Sequence, residues 1–435
     1  MQSVDTIYAP ATGGAGSALS VIRISGPDAH SVLNTLIGGS TPASRVLSRR
    51  WLLDADQSRI DDAMVVRFEA GASFTGEAMA EIHCHGSRAV LNRLSERLSS
   101  DLGCRIADPG EFARRAFENG RMDLSEAEGL ADLIAAETEL QRQQAMRMMS
   151  GELTQKVEAW RANLLRACAL IEVSIDWVDE DVPVDVRPEV KELIDALVQE
   201  LRIELSRSAT TQRMRAGFEV AIIGAPNSGK STLLNHLAGR EAAIVSDIPG
   251  TTRDVIELRY DLDGIPVVFL DTAGIRETTD AIEEIGVARA VERAEGADLR
   301  LFMTSIDQPD RVDFGGLTKE GDISTRSKSD LGSGFSGLAI SVKTGEGIDR
   351  LLQMISEKLS ERSSGAGVLS QIRHEQAVSD AVSILEELQP RVLSGDFEIL
   401  AQEMRTANRL LEGIVGRIDT DTILDNVFGS FCLGK

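Results

Sequence analysis

The segment from Gly224 to Ser231 reads Gly-Ala-Pro-Asn-Ser-Gly-Lys-Ser and lies between an apolar run and a helix-forming run. Glycines in such a loop let backbone N–H groups approach the phosphates of a nucleotide, and the start of the following helix adds a favourable dipole. Lys230 is expected to reach the outer phosphates, and the hydroxyl of Ser231 is expected to bind magnesium. The pattern therefore predicts a site for a nucleoside triphosphate.

A carboxylate follows the next apolar strand, in the run Asp271-Thr272-Ala273-Gly274. At the carboxyl end of a strand, Asp271 is placed to support a magnesium ion, and Gly274 offers a backbone donor to the γ-phosphate. Between this run and the phosphate loop, Gly250 to Asp254 supplies threonine hydroxyls on a segment typical of a nucleotide switch. The order and spacing of these motifs predict a GTPase.

Two later segments predict the site for the base. Guanine-reading loops of GTPases normally contain Asn-Lys-x-Asp, and the counterpart here is Ser327-Lys328-Ser329-Asp330, with Ser341 to Gly347 as the base-side loop. Asp330 can accept hydrogen bonds from donors that guanine has and adenine lacks, so GTP is favoured over ATP, with weaker affinity expected from the missing asparagine. The water-orienting glutamine of Ras-like enzymes is replaced by Ile275, so water must be held by another group.

The predicted GTP-binding residues extend over all of these segments. They are Asn227, Ser228, Gly229, Lys230, Ser231, Thr232, Ser246, Thr251, Thr252, Asp271, Thr272, Ala273, Gly274, Ser327, Lys328, Asp330, Ser341 and Lys343.

The elements that must position these residues fall into four stretches. Residues 1–120 mix strand and helix patterns, 121–213 form long helices, 214–362 alternate strands and helices, and 363–435 return to helical composition. Ser363 to Gly367 is typical of a linker. The predicted fold class is therefore multidomain α/β and α: an N-terminal α+β domain, and a helical domain into which a Ras-like P-loop GTPase domain is inserted.

Composition limits the classes of function. The chain has 435 residues and a formal net charge of −23, which argues against a broad, non-specific grip on nucleic acid. It shows neither a membrane-spanning apolar run nor a signal-peptide pattern at its start, so a cytoplasmic protein without a membrane partner is expected. Four scattered cysteines predict reduced thiols and no disulfide framework.

Five segments together carry a resemblance to a known family: Asp5 to Ile7, Val21 to Gly26, Phe74 to Gly86, Pro109 to Phe112, and Phe431 to Lys435. With the GTPase motifs between them, the whole chain resembles the tRNA-modification GTPase family MnmE, also called TrmE. The two ends are the most specific part of the likeness, because other P-loop GTPases would not supply both.

The resemblance implies a homodimer that forms through the N-terminal domain, which binds a tetrahydrofolate derivative in its 5,10-methylene or 5-formyl form. It also implies a heterotetramer-type complex with a flavoprotein, MnmG or GidA, which carries FAD. Together the two proteins would add a (carboxymethyl)aminomethyl group to carbon 5 of the tRNA wobble uridine. GTP, Mg²⁺ and K⁺ are the further cofactors that the resemblance implies.

The family's site residues carry over by position, and each role below is what the resemblance implies. The folate would be bound by Arg23, Glu81 and Arg121. Magnesium would be bound by Ser231 and Thr252, and potassium by Asn227, Ser246, Ile248 and Thr251. The catalytic residues would be Glu283 and Cys432.

Some alternatives stay open at this point. The catalytic carboxylate could be the adjacent Glu284 rather than Glu283. The nitrogen source for the modification could be ammonium or glycine. The acidic total predicts that tRNA contacts are confined to a local patch or shared with the partner protein. The alternative function is a ribosome-assembly GTPase that acts as an RNA-binding switch, although no RNA-binding module such as a KH loop follows Gly347.

Overall fold

The fold is described from a computed structural model of the chain. The residues that the structure describes are 5–12, 16–176, 185–244, 257–271, 292–307, 315–332, 337–393, 397–417, 421–429, 431 and 434. The chain forms two compact units, Met1–Ala131 with Glu412–Lys435, and Asp132–Leu411.

The first unit is built on a mixed sheet. Within the described residues its strands are β1 (Ile7–Pro10), β2 (Leu19–Ser25), β3 (Ser48–Leu53), β4 (Arg59–Phe68), β5 (Met79–His85) and β6 (Arg105–Ile106). Their order is β3-β4-β5-β2-β1-β6, antiparallel except for the pair β1 and β6. Along β2, Ile22 and Ile24 are buried in the core while Arg23 lies on the opposite face, as the two-residue period of a strand requires.

Helices and the chain's C-terminal segment complete this unit. The helices are α1 (Ala29–Ile37), α2 (Arg88–Glu96), α3 (Glu111–Glu118), most of α4 (Leu124–Ala135), and α12 (Asp421–Gly429). Phe428 packs its ring against Phe117 and Phe431, with ring centroids 6.1 and 6.0 Å apart. A Cβ added at Gly434 would stand 2.1 Å from the carbonyl oxygen of Pro10, so only glycine permits the C-terminal residues to lie this close to β1.

The second unit contains a larger mixed sheet. Within the described residues its strands are β7 (Phe218–Gly224), β8 (Ala243–Ile244), β9 (Glu257–Leu262), β10 (Ile265–Asp271), β11 (Leu299–Ser305), β12 (Ile323–Ser327) and β13 (Leu338–Ala339). Their order is β13-β12-β11-β7-β10-β9-β8. The strands from β13 to β10 pair in parallel, so their carboxyl ends meet at one edge of the sheet. This edge holds the phosphate loop and the base loop.

Helices surround this sheet and continue into a long helical part of the same unit. Those that lie wholly within the described residues include α5 (Glu139–Met149), α6 (Glu152–Asp176), α7 (Arg187–Ala216), α8 (Lys230–Ala238), α9 (Ile348–Ser363), α10 (Ile372–Leu388) and α11 (Phe397–Ile414). The helix α7 leads directly into β7 through Gly217, whose φ of +103° allows the turn. The backbone N–H of Leu140 on α5 donates to the carbonyl of Gly264 in the β9–β10 turn at 3.0 Å.

The segment predicted as a linker, Ser363 to Gly367, is exposed at Ser364 and Gly365 and becomes buried at its last residue. The N–H of Gly367 donates to Thr211 Oγ1 at 2.8 Å, and the N–H of Val368 donates to Glu204 Oε2 at 3.2 Å. Val368 and Leu369 are fully buried. The composition of Ser363 to Gly367 suggested flexibility, but two buried acceptors on α7 hold its end.

The predicted fold class is confirmed: an α+β N-terminal part, long helices and a P-loop domain of alternating strands and helices are all present. The predicted domain limits stay a prediction. The two compact units are a coarser division, in which residues 412–435 belong with the N-terminal sheet and the long helices belong with the P-loop domain. Among the helices that the described residues form, none is both long and apolar enough to cross a membrane.

Candidate functional site

The phosphate loop connects the end of β7 to the start of α8, where the sequence pattern predicts it. A Cβ added at Gly224 would lie 2.3 Å from the carbonyl oxygen of Met303, so glycine is required where the loop leaves the sheet. Asn227 and Gly229 both adopt positive φ, +64° and +97°, and Gly229 caps the N-terminus of α8. The loop thus turns its backbone around the positive end of a helix, which favours an anion.

Lys230 is held inside this loop. Its Nζ donates to the carbonyls of Gly224 at 2.7 Å and Ala225 at 3.1 Å, and the residue is only 7% exposed. Burial lowers the pKa of the ammonium group, and the nearby Asp271 carboxylate opposes that shift. The charge is therefore positioned at the loop, where it can neutralise phosphate oxygens.

Ser231, in the first turn of α8, meets Asp271 at the carboxyl end of β10. The hydroxyl of Ser231 donates to Asp271 Oδ2 at 2.9 Å. Asp271 is 7% exposed, and among the described residues its Oδ1 atom has no hydrogen-bond partner. Mg²⁺ prefers oxygen ligands, and the Ser231 hydroxyl lies beside a buried carboxylate oxygen that lacks a hydrogen-bond donor. These two residues therefore fit a magnesium ion.

The base loop lies on the same edge of the sheet. Ser341 Oγ donates to Asp330 Oδ1 at 2.7 Å, which fixes the orientation of that carboxylate. Lys328 adopts a φ of +62° and its ammonium group pairs with Asp307 at 2.8 Å. Lys343 is largely exposed, with Nζ 4.0 Å from Asp330 Oδ2. The structure thus brings together the residues predicted from two separate sequence motifs.

Ser327 occupies the position where guanine-reading loops normally have asparagine. It is 3% exposed, and its hydroxyl donates to the carbonyl oxygen of Ser228 in the phosphate loop at 2.5 Å. This hydrogen bond joins the base loop to the phosphate loop. No sequence pattern predicts it, because the two residues are 99 positions apart.

The three predicted folate residues all lie in the first unit. Arg23 on β2 faces Glu81 on β5, with Arg23 Nε 3.0 Å from Glu81 Oε1. The guanidinium of Arg23 also lies 5.6 Å from the ring centroid of Phe74. Arg121 is exposed and its Cγ would be 3.1 Å from a Cβ added at Gly76. Both arginines therefore adjoin the segment from Phe74 to Gly76.

Two residues near Glu81 were not predicted. His83 Nε2 lies 3.5 Å from Glu81 Oε2, and Phe74 contacts the guanidinium of Arg23. The two-residue period of a strand places residues 81 and 83 on one face, so that signal was available for the histidine. Phe74 begins one of the segments that carry the family resemblance, but it lies outside the strands, so no strand period places it beside Arg23.

Several predicted site residues lie outside the described residues, and their roles stay predictions. They are Ser246, Ile248, Thr251, Thr252, Thr272, Ala273, Gly274, Glu283, its alternative Glu284, and Cys432. The predicted residues Asn227, Gly229 and Thr232 are described and lie in the phosphate loop and the first turn of α8.

The three described cysteines are structural. Cys84, Cys104 and Cys168 are buried and free, and burial raises the pKa of each thiol, to about 11 for Cys84 and Cys104. A thiol with such a pKa is almost wholly protonated near neutral pH and is a poor nucleophile. The described cysteines therefore supply no reactive thiolate.

Comparison with known families decides the class of protein. The model of the GTP-binding protein TrmE N-terminus matches residues 6–121, and the model of the MnmE helical domain matches residues 124–432. The chain belongs to the MnmE family. The resemblance drawn from the sequence is confirmed, and so is the prediction of a GTPase that acts in tRNA modification.

Relatives named tRNA modification GTPase MnmE match over their whole length. Those of Cereibacter sphaeroides and Dinoroseobacter shibae are each 50% identical, over 99% of this chain and 100% of their own. The MnmE of Roseobacter denitrificans is also 50% identical over the same shares. Among solved structures, Aquifex aeolicus Era Y63A bound to GDP.AlF4- is similar over 32% of this chain and 56% of that chain, with 29% identity and a TM-score of 0.28.

Proposed function

We propose that this MnmE-family chain is a potassium-dependent GTPase that works with a flavoprotein to modify the tRNA wobble uridine. The product would be a (carboxymethyl)aminomethyl group on carbon 5 of that uridine. The observation that carries the GTPase part is the cluster of Lys230, Ser231 and Asp271 at one edge of a parallel sheet, with Asp330 on the same edge. The tRNA part is supported by family membership.

Each of these side chains has a distinct task in hydrolysis. Lys230 would neutralise the outer phosphates, while Ser231 and Asp271 would hold Mg²⁺, with Thr252 as a second proposed ligand. Bound magnesium supplies charge neutralisation at the β- and γ-phosphates. Asp330, oriented by the hydroxyl of Ser341, would accept hydrogen bonds from the N1 and N2 donors of guanine.

A potassium ion and a water-orienting carboxylate complete the proposed centre. Asn227 would bind K⁺ with loop oxygens of Ser246, Ile248 and Thr251. Glu283 would orient the attacking water, in place of the glutamine that this chain lacks. These assignments rest on the positions of the residues in the family's motifs.

The N-terminal unit would supply the carbon for the modification. We propose that Arg23, Glu81 and Arg121 bind a 5,10-methylene- or 5-formyl-tetrahydrofolate, since two cations and one carboxylate suit the glutamate and pterin ends of such a ligand. Cys432 would take a direct chemical part. The partners would be a second copy of this chain, an FAD-carrying MnmG (GidA) flavoprotein and tRNA, and the complex would work in the cytoplasm.

Nucleoside analysis tests the proposed function. Mass spectrometry of tRNA from a strain that lacks this chain is expected to show loss of the modified wobble uridine, with recovery when the wild-type chain is supplied. The variant Lys230→Ala should fail to restore it, because the phosphates lose their main counter-charge. An unchanged nucleoside profile in the deletion strain would contradict the function, and defective ribosome assembly in its place would favour the alternative.

Potassium should accelerate hydrolysis. We expect GTP turnover to be about 10-fold or more faster in KCl than in NaCl at equal ionic strength, because a cation at Asn227 would offset charge that develops between the β- and γ-phosphates. The φ of Asn227 is +64°, so Asn227→Gly removes the side-chain oxygen without the backbone strain that alanine would add. This variant should lose the preference for potassium.

The matched control for the potassium test is Asn227→Asp, which keeps a side-chain oxygen and should retain most of the preference. Hydrolysis is measured by phosphate release in both salts for all three proteins. Equal wild-type rates in the two salts, or a preference that persists in Asn227→Gly, would remove Asn227 and K⁺ from the mechanism.

Folate binding should depend on Arg23. In Arg23→Ala we expect the Kd for 5-formyl-tetrahydrofolate to rise by about 10-fold or more, which corresponds to the loss of one charge-assisted hydrogen bond. Basal GTP hydrolysis should not change, since Lys230 and Asp271 belong to the other compact unit. Calorimetric titration of the full chain measures the folate affinity.

A suitable control for the folate test is Arg50→Ala, because Arg50 is an exposed arginine on β3 of the same sheet. It removes the same charge at a distance from Glu81. Wild-type folate affinity in Arg23→Ala would assign Arg23 only the structural task of pairing with Glu81.

A further inference from the structure

Ser327 is held in a fixed position at the end of β12. Its backbone pairs with Ser305 of β11, and its carbonyl accepts a hydrogen bond from the N–H of Ile306 at 3.1 Å. The residue is 3% exposed, so its hydroxyl exchanges no hydrogen bonds with bulk solvent. The only acceptor that the described residues offer this hydroxyl is the Ser228 carbonyl oxygen, at 2.5 Å.

The phosphate loop lies directly against this hydroxyl. Ser228 is 2% exposed, and a Cβ added at Gly229 would lie 3.7 Å from both Cβ and Oγ of Ser327. A buried carbonyl without a donor is costly, so the Ser327 hydroxyl stabilises this shape of the loop. The hydrogen bond therefore positions the backbone N–H groups that must face the phosphates.

The number of donors then limits what else residue 327 can do. A serine hydroxyl has one proton, whereas the amide of an asparagine has two. With its proton donated to Ser228, Ser327 has none for an acceptor on a nucleotide base. The ammonium group of the adjacent Lys328 is directed at Asp307 and donates to both of its carboxylate oxygens.

We propose that Ser327 is a positioning residue for the phosphate loop and gives no hydrogen bond to the base. Guanine N7 is an acceptor, and at this site it receives no donor from residue 327. Recognition of guanine then depends on Asp330, which faces the N1 and N2 donors. The inference rests on the proposed function, since it assumes that guanine nucleotides bind at this loop.

Nucleotides that differ only at N7 test the proposal. Displacement of a fluorescent ribose-labelled GDP from the full chain by GDP and by 7-deaza-GDP, which has a C–H in place of N7, gives the ratio of their affinities. For the wild type we expect a ratio within about 2-fold of one. In Ser327→Asn the second amide N–H becomes available, and the ratio should rise to about 5-fold or more in favour of GDP.

The variant Ser327→Ala separates positioning from base recognition. Loss of the hydrogen bond to Ser228 should weaken GDP and 7-deaza-GDP equally, by about 5-fold or more, without changing their ratio. Ser324→Ala is the matched control, because Ser324 is an exposed serine on the same strand, and its affinities should equal those of the wild type. Circular dichroism melts establish that each variant is folded.

Two results would overturn the proposal: a wild-type preference of 5-fold or more for GDP that Ser327→Ala abolishes, or wild-type affinities in Ser327→Ala. If Ser327→Asn bound GDP and 7-deaza-GDP with equal affinity, the explanation from the number of side-chain donors would be wrong. These results are distinct from failure of the proposed function, which would appear as no binding of either guanine nucleotide by the wild type.

Discussion

Replacement of Asp330 by asparagine is expected to weaken GTP binding by about 10²-fold and to create affinity for xanthosine triphosphate. In the wild type Oδ1 of Asp330 accepts from Ser341 Oγ at 2.7 Å, and Oδ2 receives no hydrogen bond from that hydroxyl. An asparagine whose oxygen keeps the bond from Ser341 must place its NH₂ group where Oδ2 was. That group repels the guanine N2 donor and suits the carbonyl that xanthine has at the same position.

Competition with a fluorescent guanine nucleotide measures both affinities. The control is Asp349→Asn, which makes the same chemical change at an exposed carboxylate that pairs with Arg240 in the same compact unit. It should leave the preference for guanine intact. Equal binding of ATP and GTP by the wild type, or unaltered specificity in Asp330→Asn, would place the base-reading loop elsewhere.

The double variant Asp330→Asn with Ser341→Ala tests the orientation that the structure assigns. Without the Ser341 hydroxyl, either atom of the new amide can face the base, so the gain in xanthosine triphosphate affinity should be smaller than in the single variant. A gain of equal size would mean that Ser341 does not orient the side chain.

Replacement of Glu283 by alanine is expected to slow GTP turnover by about 10²-fold or more while the affinity for GTP stays close to that of the wild type. A carboxylate that orients the attacking water acts on the transition state and contributes little to the bound ground state, so binding and chemistry should separate. Single-turnover hydrolysis in KCl and nucleotide displacement measure the two quantities on the same protein.

The control for this prediction is Glu284→Ala, which removes the neighbouring carboxylate. A turnover defect in that variant alone would move the catalytic role by one residue. Near-normal hydrolysis in both would mean that backbone or metal alone holds the water. We also expect Glu283→Ala to fail in tRNA modification, because hydrolysis, rather than GTP binding alone, would drive the modification complex.

Local patterns were sufficient for the individual elements of the nucleotide site. The phosphate loop follows β7 and precedes α8, and Asp271 ends β10, because each of these features depends on a short run of residues and the strand or helix beside it. The same patterns did not predict the buried hydrogen bonds at the end of the segment from Ser363 to Gly367. Its composition is typical of a flexible chain, but the acceptors that hold it belong to α7, more than a hundred positions away.

The sequence by itself determined the family, the fold class and the residue types at each centre, since the order of motifs and the apolar periods of strands and helices are properties of the sequence alone. Only the tertiary structure decided which of those residues act on one another. Ser327 reaches Ser228, Ser341 orients Asp330, and Arg23 pairs with Glu81 across neighbouring strands. The physical reason is that strand pairing brings distant residues to one edge or face, and hydrogen-bond partners a few ångströms apart depend on that register and not on sequence spacing.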